Sequence, residues 1–247
     1  MVDIETSPSL GYTWGKYEQN VIEFKQPWYL LCFSYKYLDS TKIITKALPD
    51  YPSYKRTKHN DRALVKDLWK VLDHADIVIA QNGDAFDIKK AKARFLFHKL
   101  EPPSPFRSID TLKVLRRYFN FDSNKLDDIS KELKIGSKLP HTGWNLWKGC
   151  MEGNKKAWAL MKRYNVHDII LLEKLYLRIR PWIENHPNLA LFQDGRMKVC
   201  TNCGAENSLV KFGFKLTRTG KFQAYQCKKC GARVRDRKSI KTDVEVV

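Results

Sequence analysis

Asp3-Ile4-Glu5 is the stretch from which the rest of the chain is read. Residues two apart on a β-strand point to the same face, so a strand here holds two carboxylates side by side. Such a pair repels itself unless a cation lies between, and hard divalent ions such as Mg²⁺ or Mn²⁺ take oxygen ligands. The pair therefore reads as half of a metal site. Two later stretches can supply the other half: Asn82-Gly83-Asp84-Ala85-Phe86-Asp87 and Tyr164-Asn165-Val166-His167-Asp168. Only Met1 and Val2 precede Asp3, fewer apolar residues than a central strand ordinarily brings, so the first strand is expected to be short at its start.

Outward from Asp3, residues 8–27 are punctuated by Pro8, Gly11, Gly15 and Pro27 and read as a loop or short extension. Trp28 to Leu38 and Lys42 to Leu48 are rich in strand formers on either side of an Asp39-Ser40 turn, the pattern of a hairpin. Asn60 is placed to cap a helix through about Asp73, with Ala63, Leu64, Leu68, Val71 and Leu72 on one face. Ile77-Val78-Ile79-Ala80 is a short continuous β-branched run, as in a strand buried on both faces. It delivers Asn82 at its C-terminal end, where ligands gather in open α/β sheets. A helix from about Phe86 to Leu100 follows, then a strand at Phe106–Ile109, and Asp110 caps a helix to about Phe119. Lys125 to Ile135 is a further helix, with Asp127 and Asp128 favoured in its first turn by the helix dipole. Ser137 to Gly149 reads as a loop carrying Lys138, His141, Trp144, Trp147 and Lys148. Residues 155 to about 186 are helical in period, broken near Pro181. Tyr164 and Asp168, four apart, share a helix face.

At 247 residues, with 43 % hydrophobic and 12 % aromatic content, the chain can bury one core of ordinary size and carry a small appendage. No apolar run approaches the ~20 residues that span a bilayer, and the N-terminus carries acids where a secretory leader carries lysines. A soluble, cytoplasmic protein is expected. The net charge of +18 points to a polyanionic partner, nucleic acid before a membrane surface.

Six cysteines stand at 32, 150, 200, 203, 227 and 230, and the last four form two CxxC pairs. Paired CxxC turns around a hairpin in an intracellular chain read as a four-thiolate zinc site, leaving Cys32 and Cys150 as reduced thiols. Each second cysteine is followed by glycine, Gly204 and Gly231, and alternating apolar residues with a Thr219-Gly220 turn lie between the pairs. From Arg196 onward 13 Lys and Arg face 4 Asp and Glu, which favours phosphate contact as well as structure.

The three acidic stretches, taken in this order with Asn82 five before Asp87 and Tyr164 four before Asp168, resemble the exonuclease motifs of the DnaQ-like (DEDD) 3′→5′ exonucleases of the RNase H-like superfamily. The tyrosine resembles the DEDDy branch. The resemblance covers roughly residues 1–185. It implies an α/β fold with a mixed sheet flanked by helices, in which Asp3, Glu5, Asp87 and Asp168 hold two Mg²⁺ or Mn²⁺ ions and Tyr164 positions the attacking water. The spacing to Asn82 and Phe86 favours Asp87 over Asp84 as the ligand, and leaves Asp84 as a turn or cap residue. Asn82, Phe86, Lys138 and Trp144 are the candidate substrate contacts. A sister branch carries a histidine five residues before the last acid, where this chain has Arg163, so His167 reads as a packed residue or a support for the ligands. Asp110 is explained by helix capping without metal. Trp144 and Trp147 either stack bases amid lysines or cover the core.

The tail is similar to a zinc ribbon holding one Zn²⁺ on Cys200, Cys203, Cys227 and Cys230. The expected organisation is a nuclease domain over 1–190, a zinc ribbon over 196–237 and a basic tail over 238–247. The expected activity is metal-dependent 3′→5′ exonucleolysis, on DNA before RNA, at single strands or frayed 3′ ends. The rival readings are a nucleic-acid-binding protein of the same fold without catalysis, and a structure-selective endonuclease.

Overall fold

The computed structural model describes residues 1–17, 20–192 and 198–240. The expected basic tail lies outside the described residues from 241 onward, as does Arg196. The chain divides into two compact units, Met1–Leu175 and Tyr176–Val247. The second begins earlier than the change in composition near 190–196, because residues 176–192 are tied to the cysteine-bearing segment. Leu189 N donates to Thr201 O at 2.7 Å, and Asn202 Nδ2 donates to the carbonyls of Arg180 and Ile183 at 3.4 and 3.5 Å.

In the first unit β1 (Val2–Thr6) buries Val2 and Ile4, so that Asp3 and Glu5 turn to the opposite face. Residues 8–27 contain more than the expected loop: β2 (Leu10–Tyr12) and β3 (Glu23–Gln26) pair as an antiparallel ribbon. The expected hairpin is β4 (Leu30–Tyr35) against β5 (Ile44–Ala47), and β1 pairs antiparallel with β4 to give the order β1-β4-β5. Helix α1 (Arg62–Asp73) buries Leu64, Val65, Leu68 and Leu72 in the same core as Leu30, Leu31 and Phe33 of β4. Each such burial is worth about 1.5–3 kcal/mol.

Strand β6 (Ile77–Ala80), helix α2 (Asp87–Phe97) and strand β7 (Arg107–Asp110) form a parallel crossover unit, and β6 lies beside β1. Where one mixed sheet was expected, hydrogen bonding gives two: the antiparallel ladder β1-β4-β5 and the parallel pair β6-β7, brought side by side at β1 and β6. Helices α3 (Thr111–Tyr118) and α4 (Leu126–Glu132) follow. The stretch expected as a loop to Gly149 becomes helix α5 (Trp144–Glu152) from its midpoint. Helix α6 (Lys155–Ile179) gives way at Pro181 to a 3₁₀ turn, Arg180–Trp182.

A buried charge cluster fixes α2 against β4. Asp61 is fully buried, and accepts from Leu30 N and Arg94 Nε at 2.8 Å each, with His98 Nε2 2.7 Å away. Removing one partner of such a cluster leaves an uncompensated charge, a loss of about 3–5 kcal/mol. Arg94 belongs to α2, so this anchor also sets the place of Asp87 at the helix's first position.

The second unit is a three-stranded antiparallel sheet in the order β8-β9-β10, from Leu209–Thr217, Gly220–Cys227 and Arg233–Arg235. Its small core holds Cys200, Cys227 and Ala232. Among the described residues no helix is long and apolar enough to cross a membrane.

Candidate functional site

Strand β1 and helix α6 bring Asp3, Glu5 and Asp168 together, with ligand oxygens all within 4.8 Å of one another. Asp87 stands beside them rather than among them. Its Oδ1 accepts from Ile4 N at 3.0 Å, which ties the start of α2 to β1. Asp84, by contrast, is engaged by Lys113 Nζ at 2.6 Å and Ser108 Oγ at 2.5 Å and lies away from the cluster. Asp110 caps α3 through Leu112 N and also accepts from the backbone amides of Asn82 and Asp84, at 2.9 and 3.2 Å. The Asn82 turn is held in place by that carboxylate at φ 61°, a left-handed conformation that asparagine tolerates.

Electrostatics mark the cluster. Burial, then repulsion from Asp87, Glu5 and Asp168, pushes the Asp3 carboxyl well above the usual range. Burial and Asp168 push Glu5 up to about 8, and burial pushes Asp87 up to about 7 against the Ile4 hydrogen bond. Burial raises Asp168 too, while Lys138 draws it back. These are the shifts of carboxylates gathered without a counter-charge equal to their own. Asp168 Oδ1 is buried without a hydrogen-bond partner, which suits a cation ligand. The donor set is all oxygen, the choice of Mg²⁺ or Mn²⁺.

Lys138 reaches into the acidic cluster, with its side chain 29 % exposed. Its Nζ donates to Asp168 Oδ2 at 2.6 Å and to the Tyr164 hydroxyl at 2.8 Å. The loop that inserts it is pinned by Lys138 N to Asp127 Oδ1 at 2.7 Å and by His167 Nε2 at 2.7 Å from Ser137 O. His167 is therefore a loop support. Burial opposes the charge on Lys138, but Asp168 and Tyr164 outweigh it and hold the lysine above its ordinary value.

The two tryptophans differ in exposure. Trp144 begins α5 and is 55 % exposed, whereas Trp147 packs edge-on to His141 and Tyr164. Phe86 is 37 % exposed just before α2. Asn165, not singled out from the sequence, donates from Nδ2 to Asp3 Oδ2 at 2.5 Å and orients that acid. Its place inside the third motif was the available signal.

In the second unit the four sulfurs lie within 4.8 Å of one another, with Cys200–Cys230 and Cys203–Cys227 Sγ separations of 3.7 Å. Sulfurs about 2.3 Å from one tetrahedral centre would stand roughly 3.8 Å apart. The set fits zinc. Both turns close through a glycine at positive φ: Gly204 N donates to Cys200 O at 2.8 Å, and Gly231 N to Cys227 O at 2.9 Å. Cys32 and Cys150 are buried free thiols in the first unit.

The model of the RNase H superfamily matches residues 27–180, and the chain belongs to that superfamily. The match contains Asp87, Tyr164 and Asp168, while Asp3 and Glu5 precede it. No curated protein matches the chain. Membership points to a nucleic-acid hydrolase that uses divalent metal.

Proposed function

We propose that the chain is a 3′→5′ exonuclease of the DEDDy kind, acting on DNA in preference to RNA, with a C-terminal zinc ribbon that helps hold the polymer. One observation carries the reading: the two acids of β1 meet Asp168 of α6, and Tyr164, one turn before Asp168, reaches the same place. Residues 1–190 would form the exonuclease domain, 196–237 the ribbon and 238–247 a basic tail.

Two Mg²⁺ or Mn²⁺ ions held by Asp3, Glu5, Asp87 and Asp168 would neutralise charge growing on the transferred phosphate. The chain's own groups do the rest. Asn165 and Ile4 N fix the faces that Asp3 and Asp87 present. The Tyr164 hydroxyl, directed by Lys138, orients the water for in-line attack, and the ring is clamped by His141 and Trp147. Lys138 adds a fixed positive charge next to the attacked phosphate. Phe86 and Trp144 offer exposed rings for the terminal bases. A frayed end enters more readily than a paired one, because unpairing costs a few kcal/mol.

End-labelled linear single-stranded DNA, blunt duplex, RNA and covalently closed single-stranded circles, each with Mg²⁺, test this. The expected result is mononucleotide release from 3′ ends, fastest on single-stranded DNA. Cutting of circles at the rate of linear strands would replace it with an endonuclease.

A further inference from the structure

Strands β8, β9 and β10 contain no acidic residue. Their register decides which side chains share a face. Val210 stands opposite Gln226, and Gln226 opposite Arg233; Ala224 stands opposite Arg235. The ladder shifts between Lys211 and Phe214, after which Lys215 stands opposite Phe222. With side chains alternating along each strand, Val210, Phe212, Lys215, Phe222, Arg233 and Arg235 lie on one face. Contacts agree: the Arg233 guanidinium is 4.5 Å from the centre of the Phe212 ring, and that of Arg235 is 3.8 Å from Phe222. Phe212 is 44 % exposed and both arginines are exposed.

A face of solvated lysines would need no partner. This one instead presents the exposed Phe212 ring and two guanidinium planes, with Arg235 lying over a half-buried Phe222, an arrangement with two complementary uses. Flat apolar and guanidinium surfaces accept the faces of unpaired bases, and arginine donors beyond the ring edges reach phosphate oxygens. Bases within a duplex hide their faces from such a surface. An acidic peptide would answer the charge but leave the rings uncovered.

We infer that this face of the second unit is a stacking platform for single-stranded nucleic acid. Phe212 with Arg233 and Phe222 with Arg235 form its two stations; Lys215, whose Nζ stands 3.7 Å from the exposed Glu184 carboxylate, exchanges that surface partner for the phosphate backbone. The inference deepens the nucleic-acid part of the function proposed above and rests on it. It differs from a diffuse basic tail, because it requires bases as well as phosphates and favours single strands over duplex.

The test uses the full chain in buffer without added divalent ion or chelator, with fluorescence anisotropy of labelled oligo(dT) and of an abasic oligomer of equal length. Phe212→Ala should weaken oligo(dT) binding about tenfold, the loss of one stacked base, and leave the weaker abasic binding unchanged. Arg233→Gln with Arg235→Gln should weaken both and flatten the salt dependence by roughly 0.7 per lost phosphate contact. Zinc content of each variant checks that the unit is intact; should Phe212→Ala lose zinc, the exposed arginine pair carries the test. Unchanged oligo(dT) binding in the intact variants overturns the inference. So does equal affinity for oligo(dT) and the abasic oligomer, or competition by polyglutamate as effective as oligo(dT) of equal charge, which would make the face a protein site. Hydrolysis of thymidine 5′-phosphate p-nitrophenyl ester by the wild-type chain is measured alongside. It tests the nuclease reading alone, so failure of one is separable from failure of the other.

Discussion

The chain gathers anions twice, and the two clusters are built on opposite terms. Asp3, Glu5 and Asp168 are brought together across most of the first unit's length, on a strand and a helix whose apolar faces share a large core. That core holds the acids in place whether or not they repel. Cys200, Cys203, Cys227 and Cys230 converge within 31 residues, on two tight turns with a buried core of Cys200, Cys227 and Ala232. There the scaffold has little apolar surface of its own, and a metal bound to the four sulfurs would itself be the folding energy. In the first unit the fold holds the site, and on the zinc reading the site would sustain the fold in the second.

Zinc removal should break this contrast most forcefully. Zinc bound by such a thiolate set is worth about 10–16 kcal/mol at neutral pH in small zinc domains. Stripping it is expected to release β8–β10 into fast amide exchange while the amides of α1 and β4 stay protected. Retained protection in β9 after zinc loss would show that the second unit folds on its apolar contacts.

Asp3→Asn should give the opposite pattern. Hydrolysis is expected to fall about a thousandfold, the rate equivalent of roughly 4 kcal/mol of lost charge stabilisation. The metal-free protein should nevertheless melt higher, because one of the mutually repelling carboxylates is gone. Cys200→Ser should lower the stability of the second unit. If both variants destabilise their units alike, the carboxylates are holding the first unit together and the contrast fails.

Protons sharpen the same comparison. Glu5 and Asp87 have folded-state values raised to about 8 and about 7, from ordinary values of 4.5 and 3.8. Their contribution is fully present below those ordinary values and is lost as pH rises through about 7 to 8. Without added Mg²⁺ the melting temperature of the first unit should therefore drop by several degrees from about pH 4.5 to 8, and added Mg²⁺ should restore it at pH 8. Zinc binding needs thiolates, so the second unit should strengthen over a rising pH range. A first unit whose melting temperature is flat in pH would mean that the acids are more hydrated than their burial implies.

What was legible in the sequence follows the same division. The cysteine turns are local, and spacing alone brought the four sulfurs into one group. Asp3 and Glu5, two apart, and Tyr164 and Asp168, four apart, were legible because strand and helix periods place each pair on a face. That Asp87 would stand beside the group and not within it depends on Ile4 N, a partner 83 residues away. Lys138 entering between Asp168 and Tyr164 was likewise hidden, since its loop is held by Asp127 and His167. Helix α5 was missed because Gly143 and Gly149 resemble loop signals. Yet Gly149 serves close helix packing: a Cβ there would lie 2.8 Å from Ala157 Cβ. The β2–β3 ribbon was missed because its exposed apolar residues, Tyr12 and Phe24 among them, show no buried face to set a period.

The smallest expected effect falls on Tyr164, and it separates catalysis from architecture within the first cluster. Its ring packs edge-on to His141 at 5.0 Å and to Trp147 at 6.2 Å, contacts that phenylalanine keeps. Its hydroxyl accepts from Lys138 Nζ at 2.8 Å, and the same Nζ donates to Asp168 at 2.6 Å. Tyr164→Phe therefore leaves the lysine with its stronger partner, the carboxylate, and no charge is stranded. Folding stability should change by less than about 1 kcal/mol, the net worth of one neutral hydrogen bond. On the proposed mechanism water orientation is what would be lost, so turnover is expected to fall about tenfold with substrate affinity nearly unchanged, well short of the loss at Asp3. Lys138→Met removes the charge as well as the direction, and should exceed Tyr164→Phe in both turnover and stability. Equal turnover in wild type and Tyr164→Phe, measured at saturating Mg²⁺, would assign the hydroxyl to anchoring the Lys138 loop and leave water orientation to the lysine.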